Sequence, residues 1–469
     1  MEVADILRAQ GNHFLERYQS SFGYQQLKAF RAILRCRSAA LGGHIDVCLK
    51  CGHQEGISYN SCRNRSCPKC QAQARERWLE ARQQELLDTG YFHVVFTVPH
   101  ELNPLALNSP ALFYDLLFAA SSQTLLEVAA DPKRLGAEIG FLSILHSWGS
   151  NILLHPHIHC VVPGGGLSPD HQRWIHTHPR FLLPIPVLRR VFRDKLLCGL
   201  KRLYSNGSLD CRGPAAAFQN RELFEELMER LQHKKWIVYA KPPFGGPAQV
   251  LRYLGRYTHR IAISNHRLLT FDGQRVTFRY KDYAHGSKQR IMTLDAVEFL
   301  RRFFLHVLPK GFVRIRHFGL LCNRFRSRSL MLARKLLALD GCHRLPPPPP
   351  KSPVRNPPLW HCPRCGGPMY VARRLAVPIK SYRFVMMLLT KTGRSTCSLH
   401  VDVFVCRNHP LRSISSTFPI QTWPSTPTTY LWTHQRPSTP QPIHAPHHPY
   451  TGPQTSFKIH RSRQITASA

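Results

Sequence analysis

Two cysteine pairs, Cys48-x2-Cys51 and Cys67-x2-Cys70, stand near the start of the chain, and no helix or strand preference constrains the fold as tightly as they do. Four thiolates at this spacing satisfy a tetrahedral zinc ion, and the loop between the pairs is then folded by the metal. His44 or Cys62 offers a replacement for one of the four. A redox role would need one such pair rather than two. The stretch "SCRNRSCPKC" surrounds the second pair with Arg63, Arg65 and Lys69, cations placed to meet phosphates. Contacts of that kind position a protein on DNA without reading its sequence. Far downstream, Cys362-x2-Cys365 is half of a metal ribbon, whose other pair is either Cys397 and Cys406 or missing.

The charge balance agrees with a phosphate-rich partner. Lysine and arginine number 64 against 27 acidic residues, a formal net charge of +37, which favours a polyanion and above all nucleic acid. A membrane surface is the rival polyanion, but the cations are spread along the whole chain and no lysine-faced amphipathic helix gathers them. No run approaches the roughly 18 apolar residues of a membrane span. The start, "MEVADILRAQGNHF", carries acids where a secretory signal needs a basic segment and an apolar run. The expectation is a soluble cytoplasmic protein, nucleoid-associated if bacterial, with no membrane partner. Its 15 cysteines then serve metal or remain thiols.

Periodicity divides the chain. Residues 1–40 have a helical stripe through Ile6, Phe14, Leu15, Tyr18, Phe22, Leu27, Phe30 and Leu34. A polar, helix-favouring stretch from Gln71 to Leu87 precedes Gly90, and a boundary falls at 88–90. "YFHVVFTVP" (91–99), "FLSILHSWG" (141–149) and "HPHIHCVVP" (155–163) read as strands, the last two as an antiparallel pair, with a helix over 110–130. Helices are expected over 219–235, 247–260 and 294–308, and Asp272-Gly273 marks a hairpin within 267–282. The class is α+β, with a central antiparallel sheet flanked by helices. The expected domains are 1–88 (zinc module), 90–340 (catalytic domain), 341–371 (proline-rich linker with the short cysteine pair) and 372–469. That last tract, rich in Pro, Ser, Thr and His, holds one acid, Asp402, and reads as disordered or as a frame-shifted extension.

Two segments carry chemistry. In a strand, His155, His157 and His159 share one face while Pro156, Ile158 and Cys160 take the other. Successive imidazoles then lie roughly 7 Å apart at Cα, within reach of one cation. A third ligand comes from His146 on the neighbouring strand or from His155. In "VLRYLGRYTHRIAISN", Tyr253 and Tyr257 are four apart, one above the other on a helix face, bracketed by Arg252, Arg256 and Arg260. Cations around them make a plain packing stripe costly. Gly164 to Gly166 form a turn, either one that admits DNA or a plain surface turn.

In order along the chain, "CLKCG", "SCRNRSCPKCQ", "FHVVFTVPHELN", "LHSWGSNILLHPHIHCVVPGGGLS" and "YLGRYTHRIAISNHRL" resemble the rolling-circle insertion-sequence transposases of the HUH endonuclease superfamily, the two-tyrosine type, from about residue 8 to 370. The resemblance puts the family's histidine pair on His157 and His159 and its tyrosine pair on Tyr253 and Tyr257. It implies an N-terminal zinc-binding domain followed by an HUH-type nuclease domain. Where the family's zinc module has a histidine beside the second knuckle, this chain has Ser66, so the cysteine framework stands with its ligands open. The implied activity is nicking and rejoining of single-stranded DNA at the single-stranded or hairpin ends of a mobile element. The implied cofactors are catalytic Mg2+ or Mn2+ and structural Zn2+, and host replication factors are implied partners. Three rival readings remain: a zinc-dependent DNA-binding protein without catalysis, a phosphodiesterase using water, and a decayed transposase.

Overall fold

The computed structural model describes residues 1–70, 72–241, 255, 261–282, 285–286, 288–339 and 361–376. Helices α1 (Val3–Tyr18) and α2 (Tyr24–Leu34) replace the single N-terminal helix that the stripe suggested, with Gly23 between them. A hairpin of β1 (Gly43–Cys48) and β2 (Gln54–Tyr59) follows, then α3 (Ala72–Gln83) and β3 (Tyr91–Thr97). Next come α4 (Asn103–Asn108), α5 (Pro110–Ala130), β4 (Gly140–Trp148) and β5 (Leu154–Pro163). The short strands β6 (Gly165–Leu167) and β7 (Trp174–His176) pair with each other ahead of α6 (Ile185–Ser205), α7 (Arg221–His233) and β8 (Ile237–Lys241). Strands β9 (Leu268–Phe271), β10 (Arg275–Asp282) and β11 (Lys288–Asp295) form a meander, followed by the helix Ala296–Phe304, β12 (Ile315–Gly319), the helix Arg326–Leu339 and β13 (Met369–Leu375).

Local chemistry sets these bounds. Proline opens α5 at a position whose N–H has no helical partner in any case. The side chain of Asn220 accepts from the N–H groups of Glu222 and Leu223 at the start of α7, and Asp295 accepts from those of Val297 and Glu298. At the β9–β10 turn Gly273 has φ 97°, and Asp272 accepts from the N–H groups of Gln274 and Arg275.

The central sheet has the order β12-β4-β5-β3-β8 with every neighbour antiparallel. The α+β class expected from the sequence is thus the observed one, a mixed fold of antiparallel sheets with an N-terminal zinc-binding domain. One face of the sheet, with Phe92, Val94, Phe96, Phe141, Leu145, Ile158, Cys160 and Val162, is sealed by α4 to α7 through Leu105, Phe113, Leu117, Phe192, Leu196, Phe224 and Leu231. These positions alternate along each strand, so the opposite residues must face the other side. There, Trp78 and Leu86 lie against Tyr91, Leu142, Ile144 and Val161.

The N-terminal helices do not form a core with the cysteine hairpin. Ile6, Phe14, Phe30 and Ile33 pack with Phe278, Phe299, Phe303 and Phe304, so α1 and α2 share a core with β10 and the helix Ala296–Phe304. The boundary at 88–90 therefore separates elements without separating cores. The ring of Phe304 lies 5.7 Å from Phe14, 5.3 Å from Phe22 and 5.7 Å from Phe30. The strand β13 crosses the expected limit at 371 and runs to Leu375, because its backbone pairs with β1. Gly164 to Gly166 are buried rather than placed to admit DNA: a Cβ on Gly166 would stand 2.5 Å from the Glu138 carbonyl oxygen, which only glycine avoids. Of the tail expected from 372, residues 377–469 lie outside the described residues. No described helix is long and apolar enough to cross a membrane.

Phe304→Ala should cost about 3 to 5 kcal/mol, the usual loss for a buried phenylalanine. Urea unfolding would read this, and amide exchange should speed up in α1 and α2 before it does in β3 to β5; an unchanged midpoint would contradict the shared core.

Candidate active site and metal centres

Strand register builds the histidine site. His157 of β5 stands opposite His146 of β4 and Thr97 of β3, and His159 opposite Ile144 and Val95. His146, His157 and His159 therefore leave the sheet on one face, and their donor nitrogens all lie within 4.8 Å of one another. Ring centroids are 5.2 Å apart for His146 and His157, 4.2 Å for His146 and His159, and 4.7 Å for His157 and His159. All three are buried. Of the two further histidines that the sequence left open, the register brings His146 together with His157 and His159. His155 is exposed at the strand's edge and contributes its carbonyl, which lies 2.6 Å from His157 Nδ1. A carbonyl only accepts, so the proton sits on Nδ1 and Nε2 keeps its lone pair.

Burial fixes the charge state. It pushes His157 down to about 3 and His146 and His159 well below the ordinary histidine value, with neighbouring imidazoles adding to the effect. At neutral pH all three are neutral, the form that ligates metal. His93 of β3 stacks on His159 with centroids 4.9 Å apart, and its Nε2 lies 2.7 Å from His159 Nδ1, so one ring donates to the other. Burial lowers His93 to about 4, with Lys241 adding to the effect. The histidine spacing on β5 gives no hint of His93; only pairing β3 beside β5 brings it in.

The cysteines divide differently from the sequence expectation. Cys48, Cys51, Cys67 and Cys70 do not converge on one point. Cys67 and Cys70 join Cys36 and Cys62, while Cys48 and Cys51 join Cys362 and Cys365. The cause is topological: the 61–70 loop folds onto the end of α2, where Cys36 sits, while β1 carries its knuckle to β13. Cys36 forms no CxxC motif, so spacing could not reveal it. In the first cluster Sγ atoms are 3.2 Å apart for Cys36 and Cys70, 3.5 Å for Cys62 and Cys70, and 3.6 Å for Cys67 and Cys36. Disulfide sulfurs are about 2.05 Å apart, whereas four thiolates about 2.3 Å from zinc are roughly 3.8 Å apart. The donor set fits zinc. Hydrogen bonds among the four thiols, that between Cys36 and Cys62 foremost for Cys36, draw Cys36 down to about 7 and push Cys62 and Cys67 up. Cys62, offered as a replacement ligand, is a full member, and His44 belongs to neither cluster.

A family model described as "Putative transposase" matches residues 140–329, and one described as "Transposase zinc-binding domain" matches residues 6–98. The chain is 51% identical over 339 residues to "Putative transposase y4qJ" of Sinorhizobium fredii, covering 72% of this chain and 85% of that one. The chain belongs to this family, the rolling-circle insertion-sequence transposases. It is also 27% identical over 315 residues to the transposase for insertion sequence element IS801 of Pseudomonas savastanoi pv. phaseolicola, covering 64% of this chain and 71% of that one. No solved structure matches it.

As a transposase the protein acts on DNA, and its zinc-binding domain holds structural zinc. The matched zinc-binding segment contains Cys36, Cys48, Cys51, Cys62, Cys67 and Cys70, and the matched transposase segment contains His146, His157 and His159. Tyr253, Tyr257, Arg252, Arg256 and Arg260 lie outside the described residues. Of the cations expected to meet DNA, Arg63 is exposed and Lys69 reaches Glu2 at 2.6 Å. Arg65 turns to protein instead, donating to the carbonyls of Phe312 at 2.8 Å, Leu308 at 3.1 Å and Pro309 at 2.6 Å. Its planar fork, reaching three main-chain oxygens at once, docks the cysteine loop onto 308–312.

Arg65→Ala in this transposase should therefore cost about 2 kcal/mol of stability, and Arg65→Lys should not restore it. DNA affinity should fall less than in Arg63→Ala; the reverse order, with an unchanged unfolding midpoint, would return Arg65 to the DNA surface.

Proposed function

We propose that this transposase is an HUH-type strand transferase that cuts and rejoins single-stranded DNA through a covalent 5′-phosphotyrosine link. The observation that carries the reading is the convergence of three neutral, buried imidazoles, His146, His157 and His159, on one face of the central sheet. Nothing in a folding core calls for three uncharged histidines side by side, since each costs desolvation that a leucine would not. A metal site gives them a purpose. Imidazole nitrogens suit manganese better than magnesium, and the ion held there would act as a Lewis acid on the scissile phosphate.

The chain's own groups do the rest. His155 holds the His157 ring through its carbonyl, and His93 fixes the proton of His159, so the ligands are oriented before DNA arrives. The hydroxyl oxygen of Tyr253 or Tyr257 attacks phosphorus; the P–O3′ bond breaks, the phenol's proton passes to water, and the departing 3′ oxygen takes one up. The bond energy stays in the phosphotyrosine, so rejoining needs no ATP. A second tyrosine lets one site hold a cut end while it opens another. Gly255, midway between the two, is helical and buried, and a Cβ there would stand 2.6 Å from Leu79 Cδ2 of α3. The neighbouring Trp78 packs on the histidine-bearing face. Arg252, Arg256 and Arg260 guide phosphates, with Arg63 and Lys69 extending the track across the zinc module. The substrates are single-stranded or hairpin ends of a mobile element, met in the cytoplasm on the nucleoid.

Incubation of end-labelled single-stranded element ends with the protein and Mn2+ should give a protease-sensitive band on a denaturing gel, absent in the Tyr253→Phe, Tyr257→Phe double variant. Cleavage without an adduct would transfer the attack to water, and binding without cleavage would reduce the protein to a DNA-binding module. Mn2+ binding followed by electron paramagnetic resonance should be lost in His146→Ala as in His157→Ala and His159→Ala, and weakened about 10- to 100-fold in His93→Ala. His155→Ala should keep it; loss there with retention in His146→Ala would reverse the choice of third ligand.

A further inference from the structure

Cys48, Cys51, Cys362 and Cys365 form a second cluster; Cys48 and Cys51 lie inside the matched zinc-binding segment, whereas Cys362 and Cys365 lie beyond both matches, which end at 98 and 329. Its two halves repeat one motif. "CLKCG" at 48–52 and "CPRCG" at 362–366 each place a lysine or arginine before the second cysteine and a glycine after it. The glycines share one left-handed conformation, φ 67° at Gly52 and 66° at Gly366. Each glycine N–H donates to the carbonyl of its first cysteine, at 3.1 Å from Gly52 to Cys48 and 2.8 Å from Gly366 to Cys362. These are two metal knuckles of the same shape, facing each other. Sγ distances across them are 3.5 Å for Cys48 and Cys365, 3.6 Å for Cys51 and Cys362, and 3.4 Å for Cys365 and Cys51. All are too long for a disulfide, at about 2.05 Å, and near the separation that zinc imposes. The N–H of Lys50 also points at Cys48 Sγ from 3.3 Å, a donor that favours thiolate there.

We propose that these four cysteines bind a second zinc ion, and that this ion clasps residues 361–376 onto the N-terminal zinc-binding domain. The packing leaves the task to a metal. Five of the seven residues of β13, Tyr370 to Arg374, are exposed, and among the described residues its apolar cluster beyond Met369 has just Cys48 and Cys362 as buried members. Backbone pairing from Gly43↔Leu375 to Cys48↔Met369 aligns the strand, yet an edge strand without an apolar face does not hold by hydrogen bonds alone. Four soft thiolates in tetrahedral reach select zinc over magnesium or manganese, so the clasp and the histidine site draw on different ions. The zinc-binding domain is thereby completed by chain from beyond the transposase segment. Its β1–β2 hairpin gains a third strand only when the ion is present. Two cysteines are buried in each cluster, and this one is the more accessible because Cys51 is exposed whereas Cys62 and Cys70 of the other are half-buried.

The test is a zinc count by native mass spectrometry on the full chain purified with zinc. Two ions per chain are expected in the parent and one in Cys362→Ser, Cys365→Ser. Amide exchange over 369–375 should rise at least tenfold in that double variant while β3 to β5 stay protected. Cys365→His, which keeps a ligand, should retain both ions and the protection, so that misfolding of the serine variant is distinguished from loss of the ion. A chelator should remove zinc in two phases, the first of them releasing 369–375. One ion per parent chain, two ions in the serine variant, unchanged protection of 369–375, or a mass showing disulfides between these cysteines would each overturn the proposal.

Discussion

The antiparallel ladder joining β4, β5 and β3 is the constraint on which the rest of the molecule depends. Its register sets His146 across from His157 and places His93 beside His159. A slip of one residue would send every imidazole into the apolar layer and bring Ile158 and Cys160 out. That register is held by the other face. Ile158, Cys160 and Val162 sit fully buried among the aromatic side chains of α5, α6 and β3, and any shift would break that packing. The polar site is thus aligned by apolar contacts that it never touches.

Burial acts on the histidines in a second way. An imidazole in water is partly protonated near neutral pH, whereas these are held neutral by a surrounding too poor in water to support the charge. Protonation and metal binding compete for the same lone pair, so lowering the proton's hold leaves the pair available to a cation. The stability consequence has a definite sign. Groups whose folded-state affinity for protons is depressed favour the folded state above the unfolded histidine value, near 6.5, and that contribution is lost as pH falls toward 4 and 3.

Metal centres and shared cores bind together parts of the chain that lie far apart in sequence. The N-terminal helices lean on the helix Ala296–Phe304 through a cluster of phenylalanines, and Arg65 ties the cysteine loop to 308–312. The second cysteine cluster spans a longer interval than either, from 48 to 365. These long-range ties cost loop-closure entropy that grows only slowly with length, so a remote strand is nearly as good a partner as a near one.

Short-range rules were legible in the residues. Alternation along β5 follows from the two-residue pleat, the span of α5 from Pro110 and an unbroken helical run, the β9–β10 turn from Asp272-Gly273, and the knuckles at 48–52 and 362–366 each from a pair of cysteines with a glycine behind it. All of these depend on backbone geometry within a few positions, which the local sequence specifies directly. Which knuckle faces which, that Cys36 completes the first cluster, that His146 rather than His155 converges with His157 and His159, and that α1 and α2 belong to the core of 278–304 depended on pairings across tens to hundreds of residues. Spacing carries no information about such pairings, because any of several cysteine pairs could satisfy the same ion. The tertiary structure chose among them by which arrangement buries the sheet, the phenylalanines and the hairpin at once.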